Sequence, residues 1–269
     1  MDIEKQKTIL SLNPNGIASI EDPSEELQLV AVEKNGLAIR HIKNPTELVK
    51  RAAIENVPRA IAYIENPSEE LQILCVKQGW NNLALIEQPS EELIKVALKQ
   101  SGWAIKFIEH PSEELQLLAI EQNYDAIQYI KGPTKLAQMA AVKQNYQALR
   151  LIGEADFEAE LLAVSMDDEA MRFVKELTKE KILAFARKNS LVLQYVQDLD
   201  VVTLPELEMV FREVLSEETV EEKYVRDFIR CSAIDAKIGT FKIDKIALVD
   251  RYGSKKAKKV TVDEKLRFH

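Results

Sequence analysis

P-S-E-E-L-Q-L-L-A-I-E-Q-N-Y-D-A-I-Q-Y-I, running from Pro111 to Ile130, decides the fold, because the chain keeps returning to it. Prolines recur at one spacing, Pro23, Pro45, Pro67, Pro89, Pro111 and Pro133, each followed by a form of P-S-E-E-L that becomes P-T-E-L at Pro45 and P-T-K-L at Pro133. The period is 22 residues. A fixed period of this length marks stacked repeats, each too small to bury its own apolar face.

With proline as position 1, the preceding residue is expected to cap a helix whose first turn holds the proline, where a missing N–H costs nothing. Asp22 with Glu25, Asn44 with Glu47 and Asn66 with Glu69 have capping-box spacing, while Gln88, His110 and Gly132 are weaker starts. The helix is expected to run to position 12 with apolar residues at positions 5, 8 and 9 and further ones at 7 or 10. Position 9 reads Ala31, Ala53, Cys75, Ala97, Ala119, Ala141 and Ala163. That face therefore approaches a neighbour closely, and a larger side chain would overpack it. Position 13, with Asn35, Asn123, Asn145 and Asn189, suits a helix stop.

A shorter second helix follows, with aliphatic residues at positions 17 and 20, from Ile17 and Ile20 through Leu193 and Val196. These two series extend the count to nine units, residues 1–198. The expected fold is mostly α: a right-handed or irregular α-solenoid of 22-residue two-helix units, with a small C-terminal β-hairpin. Residues 199–239 read as two closing amphipathic helices, with Ser216 able to cap the second. In the basic segment 240–269, Phe241, Ile243 and, after a slip, Ile246 and Leu248 suggest one strand, and Val260 and Val262, continued by Leu266 and Phe268, another. Asp250 to Ser254 reads as the turn between them.

The stretch from Pro111 to Ile130, together with Ala141-Val-Lys-Gln-Asn145 and Val76-Lys-Gln-Gly79, resembles the repeats of a bacterial and phage helical-repeat family of unknown function, with HEAT-like short helix pairs. The resemblance covers residues 1–198, most closely 23–154, and departs at Leu177. It implies no catalytic residues.

The composition, 46% hydrophobic and 30% charged with a net charge of -8, is that of an ordinary globular protein. The charge is uneven, since residues 240–269 hold nine Lys or Arg against four Asp or Glu. The acidic remainder disfavours nucleic acid and anionic membrane. The chain opens Met1-Asp2-Ile3-Glu4-Lys5 and has only short apolar runs, so secretion and membrane insertion are not expected, and a cytoplasmic location is. Cys75 and Cys231 read as reduced core thiols.

No Gly-rich phosphate loop or nucleophile motif is present, and the Ser-Glu-Glu triplets are explained by the helix dipole. His41, His110 and His269 form no ligand cluster, so neither metal, cofactor nor catalytic residue is expected. Trp80, Trp103, Tyr124 and Tyr146, near the starts of successive second helices, are candidates for a protein-binding row or fillers between units. Lys255, Lys256, Lys258 and Lys259 are nucleic-acid-binding candidates, with a soluble loop beside an acidic body as the plainer reading. The expected function is a non-enzymatic protein-interaction scaffold, a phage or bacterial factor that binds or inhibits a protein partner. The alternative is nucleic-acid association through the basic C-terminal segment, and self-association through exposed end faces is compatible with either.

Overall fold

The computed structural model describes residues 2–196, 201–237 and 239–266. The chain is mostly helical and divides into two compact bodies, residues 1–131 and 132–269.

In the first body six α-helices alternate with six-residue 3-10 helices. The α-helices are α1 (Ile3–Leu12), α2 (Glu25–Lys34), α3 (Glu47–Asn56), α4 (Glu69–Lys77), α5 (Glu91–Gln100) and α6 (Glu113–Gln122). The 3-10 helices run from Pro14–Ser19 through Gly36–His41, Pro58–Tyr63, Trp80–Leu85 and Gly102–Phe107 to Tyr124–Tyr129. Successive α-helices pack on one another, as do successive 3-10 helices, giving two layers with the core between them. Positions 5, 9 and 10 of the α-helices supply one side of it, as with Leu115, Ala119 and Ile120, and position 17 supplies the other, as with Ile127.

The expected second helix is thus a 3-10 helix. The position-20 residue follows that helix in extended conformation and caps it, its N–H donating to the position-17 carbonyl, as from Ile42 to Ile39 at 3.0 Å. A small residue at position 16, Ala38, Ala60, Ala104 or Ala126, is completely buried where this helix meets its α-helix. In the fourth repeat Asn82 replaces it and donates its side-chain amide to the Cys75 carbonyl at 3.0 Å.

The caps sit one residue beyond the proline rather than before it. Thr46, Ser68, Ser90 and Ser112 are the N-caps, each hydroxyl accepting from the backbone N–H three residues on, as Ser90 does from Leu93 at 3.2 Å. Proline lies outside the helix, and its carbonyl accepts from the position-6 glutamine, Gln72 to Pro67 at 3.0 Å and Gln116 to Pro111 at 3.1 Å. The preceding residue makes a turn, which is why Asp22, Asn66 and Gly132 recur there, with φ of 48°, 46° and 63°. Nothing lies within 4 Å of the Cβ that alanine would add at Gly132. Gly132→Ala is therefore expected to cost about 1 kcal/mol from backbone strain alone. A urea titration matching the parent protein would contradict this.

Asparagine and glutamine at the ends of the α-helices tie repeats together. Asn56 donates to the Glu33 carbonyl at 2.9 Å, Gln78 to Ile54 at 2.8 Å and Gln100 to Val76 at 2.9 Å. Each reaches a carbonyl near the C-terminus of the preceding α-helix, where the helix itself supplies few donors. Position 9 is small because it faces the start of the preceding 3-10 helix; the Cys75 thiol lies 3.5 Å from the Pro58 carbonyl.

The second body continues the pattern with α7 (Lys135–Gln144), α8 (Phe157–Met166) and α9 (Lys179–Lys188), alternating with 3-10 helices at Tyr146–Leu151, Asp168–Phe173 and Ser190–Tyr195. The two late repeats that lack proline replace the glutamine contact with an ion pair. Glu160, almost fully buried, meets Lys181 of the next repeat at 2.6 Å. In the ninth repeat the usual alanine is Phe185, buried against Phe157 with ring centroids 6.1 Å apart.

Next, α10 (Leu204–Ser216) packs on α9 and α11 (Glu222–Arg230) on the last 3-10 helix, so the amphipathic pair adds one element to each layer. The expected end of the array at residue 198 falls among residues 197–200, outside the described residues. Ser216 does not cap α11; it ends α10 with its hydroxyl on the Glu213 carbonyl at 2.8 Å, and Glu221 is the N-cap.

Thr203 and Glu206 form a capping box at the start of α10. Glu206 is pulled down to about 2 by the Thr203 backbone N–H, then by Lys179 and the Thr203 hydroxyl. A depressed folded-state pKa contributes stability at neutral pH that is lost as pH falls from the ordinary glutamate range toward about 2. Glu206→Gln is accordingly expected to flatten the acid limb of a stability-against-pH curve. An unchanged limb would contradict the assignment.

The expected C-terminal hairpin is not formed. Phe241 and Ile243 lie outside any helix, Ile246 and Leu248 fall in α12 (Lys245–Tyr252) and Val260 and Val262 in α13 (Lys255–Leu266), and no strand occurs among the described residues; Ile234 and Phe241 make one isolated parallel bridge. Phe268 lies outside the described residues. Val260 belongs to a helical face with Ala257, Thr261 and Glu264, all buried against the body, whereas Val262 points outward. The Ser254 hydroxyl starts α13 by accepting from the Ala257 N–H at 3.2 Å. The turn from Asp250 to Ser254 exists, but it joins two helices. Glu264 has no exposed side-chain surface and holds α13 to α11 between Arg226 at 2.8 Å and Arg230 at 2.5 Å.

Candidate protein-binding surface

The aromatic candidates occupy the joints between repeats. Trp80 opens its 3-10 helix and is half-buried; its ring lies 6.1 Å from Phe107 of the next repeat, with the Lys106 ammonium 4.9 Å above the indole. Trp103 is 40% exposed and its Nε1 donates to Asp125 at 2.8 Å. Tyr124 and Tyr146 are half-buried, and the Tyr146 hydroxyl lies 3.3 Å from Glu169. Trp80, Trp103 and Tyr146 thus each engage the following repeat, which uses much of their binding capacity internally.

Trp103 stands one register beyond the other three for a steric reason. Position 14 is closed in its repeat, where Gly102 lies so near α6 that a Cβ would stand 2.0 Å from the Ala119 carbonyl oxygen. The aromatic therefore moves to position 15.

A more continuous surface lies on the α-helices at positions 7 and 8. In the first body these are Leu29 and Val30, Ile73 and Leu74, and Leu117 and Leu118, all half-buried. In the intervening repeats position 7 is Arg51 or Lys95, reaching Glu70 at 3.5 Å and Glu114 at 2.9 Å on the next helix. Lys95 also meets Glu91 at 2.9 Å, and Glu91 and then Glu114 raise its pKa above the ordinary value. In the second body position 7 is aliphatic throughout, Met139, Leu161 and Leu183. The signal was present in the sequence: positions 5, 9 and 10 supply the fully buried core, and 7 and 8 stay mostly apolar, packing against its edge while remaining half-open.

Within the second body this surface deepens to a groove of about 640 Å³. Met139, Leu161 and Leu162 form its apolar lining on the repeat side, and Val214, Val220 and Tyr224 bring in α10 and α11. Tyr224 is tied down by its hydroxyl, which donates to the Ala186 carbonyl at 2.8 Å, and burial raises its pKa so that it stays a neutral donor. Glu158, Glu217 and Glu221 add negative charge to the lining, and Arg187 and Lys188 positive charge. An apolar lining with charge of both signs suits a peptide-like ligand.

Lys255, Lys256, Lys258 and Lys259 fall in the first half of α13. Lys255, Lys258 and Lys259 are exposed, and none of the four makes an ion pair within 4 Å of a described acid. Nearby in sequence, Tyr252 packs against Arg212 at 4.5 Å and Arg251 at 5.1 Å.

No family model, curated protein or solved structure matches this chain. Among the described residues no group of three or more His, Cys, Asp or Glu is placed to hold a metal ion, and no helix is long and apolar enough to cross a membrane. His41 is exposed, with its Nε2 3.1 Å from Arg40 Nε. Both cysteines are buried; burial pushes the Cys75 thiol up to about 11 and raises Cys231 as well, so neither is activated as a nucleophile.

Proposed function

We propose that this protein is a non-enzymatic interaction scaffold that grips a segment of another protein along positions 7 and 8 of its repeats. The observation that carries the reading is the groove of about 640 Å³ in the second body, where the position-7 and position-8 side chains Met139, Leu161 and Leu162 stay half-open beside α10 and α11. The aromatic series supports the scaffold from within the joints and adds Trp103 as an exposed contact. The resemblance to bacterial and phage helical repeats suits a factor that binds or inhibits a partner protein.

Affinity capture from a native lysate tests this, with Leu161→Glu/Leu162→Glu beside the parent. Both side chains are half-buried, so circular dichroism establishes first that the variant keeps its helices. Loss of a reproducibly captured protein, by tenfold or more, is the expected result. Equal capture by both proteins would remove the groove from the reading. A second reading, nucleic-acid association, is favoured by the exposed and unpaired lysines of α13 and opposed by the net charge of -8.

A further inference from the structure

The outward face of α13 has a composition that its own fold does not explain. Ala257, Val260, Thr261 and Glu264 face inward, leaving Lys255, Lys258, Lys259, Val262 and Leu266 along one exposed stripe at helical spacing. Val262 is 58% exposed and Leu266 69% exposed. The lysines crowd the first turns of the helix, where the dipole disfavours positive charge. A stripe that begins cationic and ends aliphatic is complementary to a surface with carboxylates at one end and aliphatic side chains at the other.

The first body carries that complement. Leu117 and Leu118 of α6 lie half-buried in a hollow of about 530 Å³ shared with α5, and Glu114 and Glu121 share its lining with Lys95 and Lys99. The first turns of α5 and α6 set four exposed carboxylates, Glu91, Glu92, Glu113 and Glu114, around the ammonium of Lys95, which lies 2.9 Å from Glu91 and Glu114 and 3.7 Å from Glu92, with Lys99 one turn further along α5. Carboxylates stand at positions 3 and 4 and aliphatic side chains at 7 and 8, one helical turn apart, a spacing that the lysine-to-valine step along α13 repeats.

We propose that a second copy of this chain is the occupant, its α13 seated on the α5–α6 hollow, with Val262 and Leu266 against Leu117 and Leu118 and the lysines over the carboxylates. This rests on reading positions 7 and 8 as a docking surface and names what fills them in the first body. The two faces differ, so the contact is heterologous: each copy offers one donor face and one acceptor face.

Sedimentation velocity of the full chain over a range of concentrations tests this, first at low and then at high salt. Assembly is expected at low salt and is expected to weaken by tenfold or more as screening shortens the reach of the lysines. Val262→Asp/Leu266→Asp breaks the donor and Leu117→Asp/Leu118→Asp the acceptor. Each variant alone is expected to sediment as a monomer, while their mixture forms a 1:1 dimer through the one intact pair of faces. If the leucine variant loses helical signal, Glu113→Lys/Glu114→Lys replaces it.

A parent protein that stays monomeric at every concentration overturns the proposal, as does a mixture that stays monomeric or a variant that assembles like the parent. Two further results also overturn it while pointing elsewhere. A monomeric parent that binds a labelled DNA duplex, with binding lost in Lys258→Glu/Lys259→Glu, assigns the stripe to nucleic acid. A monomeric parent whose captured foreign partner is lost in Leu117→Asp/Leu118→Asp leaves positions 7 and 8 standing as a docking surface and removes only the second copy.

Discussion

Replacing Gly102 by alanine is expected to lower stability by about 2 kcal/mol, whereas Gly153→Ala leaves it unchanged or raises it by about 0.5 kcal/mol. A Cβ at Gly102 would stand 2.0 Å from the carbonyl oxygen of Ala119 and 2.9 Å from its carbonyl carbon. Both are backbone atoms of α6, and the oxygen also accepts from the Asn123 N–H at 3.0 Å, so neither can swing aside. Overpacking of this kind costs about 1–3 kcal/mol, and the reduced freedom of the unfolded chain returns about 0.4–1 kcal/mol. Around Gly153 nothing lies within 4 Å, so only the favourable part remains. Urea titration of the two variants measures the contrast. Equal midpoints would mean that adjacent repeats do not approach as closely as these distances state.

Glu264→Ala is expected to be still more damaging, at about 3 kcal/mol, because it leaves Arg226 and Arg230 facing a buried site without a counter-charge. That figure is the lower end of the usual range for breaking a buried pair, since the Arg230 side chain is 48% exposed and can turn to water. Limited proteolysis should register the change first, as faster cleavage among the lysines of α13 once the helix loses its anchor on α11. Burial opposes ionisation of Glu264, but the hydrogen bonds from Arg230 and then Arg226 outweigh it and hold the pKa below the ordinary value. A depressed folded-state pKa means the carboxylate stabilises the fold at neutral pH and stops doing so as pH falls through that lowered value. The difference between parent and variant therefore closes in acid. Identical melting and cleavage at neutral pH would show that α13 is held by Ala257 and Val260 alone.

Much of the repeat was legible in one dimension. Proline spacing set the period, the alanine and cysteine series marked position 9 as a close contact, and position 13 marked the helix end; in α2 through α6 position 9 is fully buried, and Asn35 and Asn123 end α2 and α6. The cap was misplaced because Asp, Asn and Gly before proline suit a helix cap and a left-handed turn equally well. Ser24, Thr46 and Ser68 were available one residue further on, and only the backbone path distinguishes the two.

The candidate surface was less legible. Trp80 and Tyr146 stood out by residue type, but residue type does not say that Phe107 and Glu169 from the next repeat meet them. Leucines at positions 7 and 8 pack on the core yet stay half-open, which was not legible in the sequence because a helix apolar on several sides gives no indication of how much of each side a neighbour covers.

The sequence by itself determined the 22-residue period and the aliphatic position 17 that is buried from Ile17 to Leu193, because each repetition tests the same local preference again and a periodic pattern survives individual departures. Tertiary structure decided what occurs once. It made Lys255 to Leu266 a helix although Val260 and Val262 also alternate like a strand, since Glu264 meets Arg226 and Arg230 only when helical spacing turns it inward with Val260. It also left Leu161 and Leu162 half-open, because their burial depends on the distance to α10 and α11, a length that no spacing along the chain encodes.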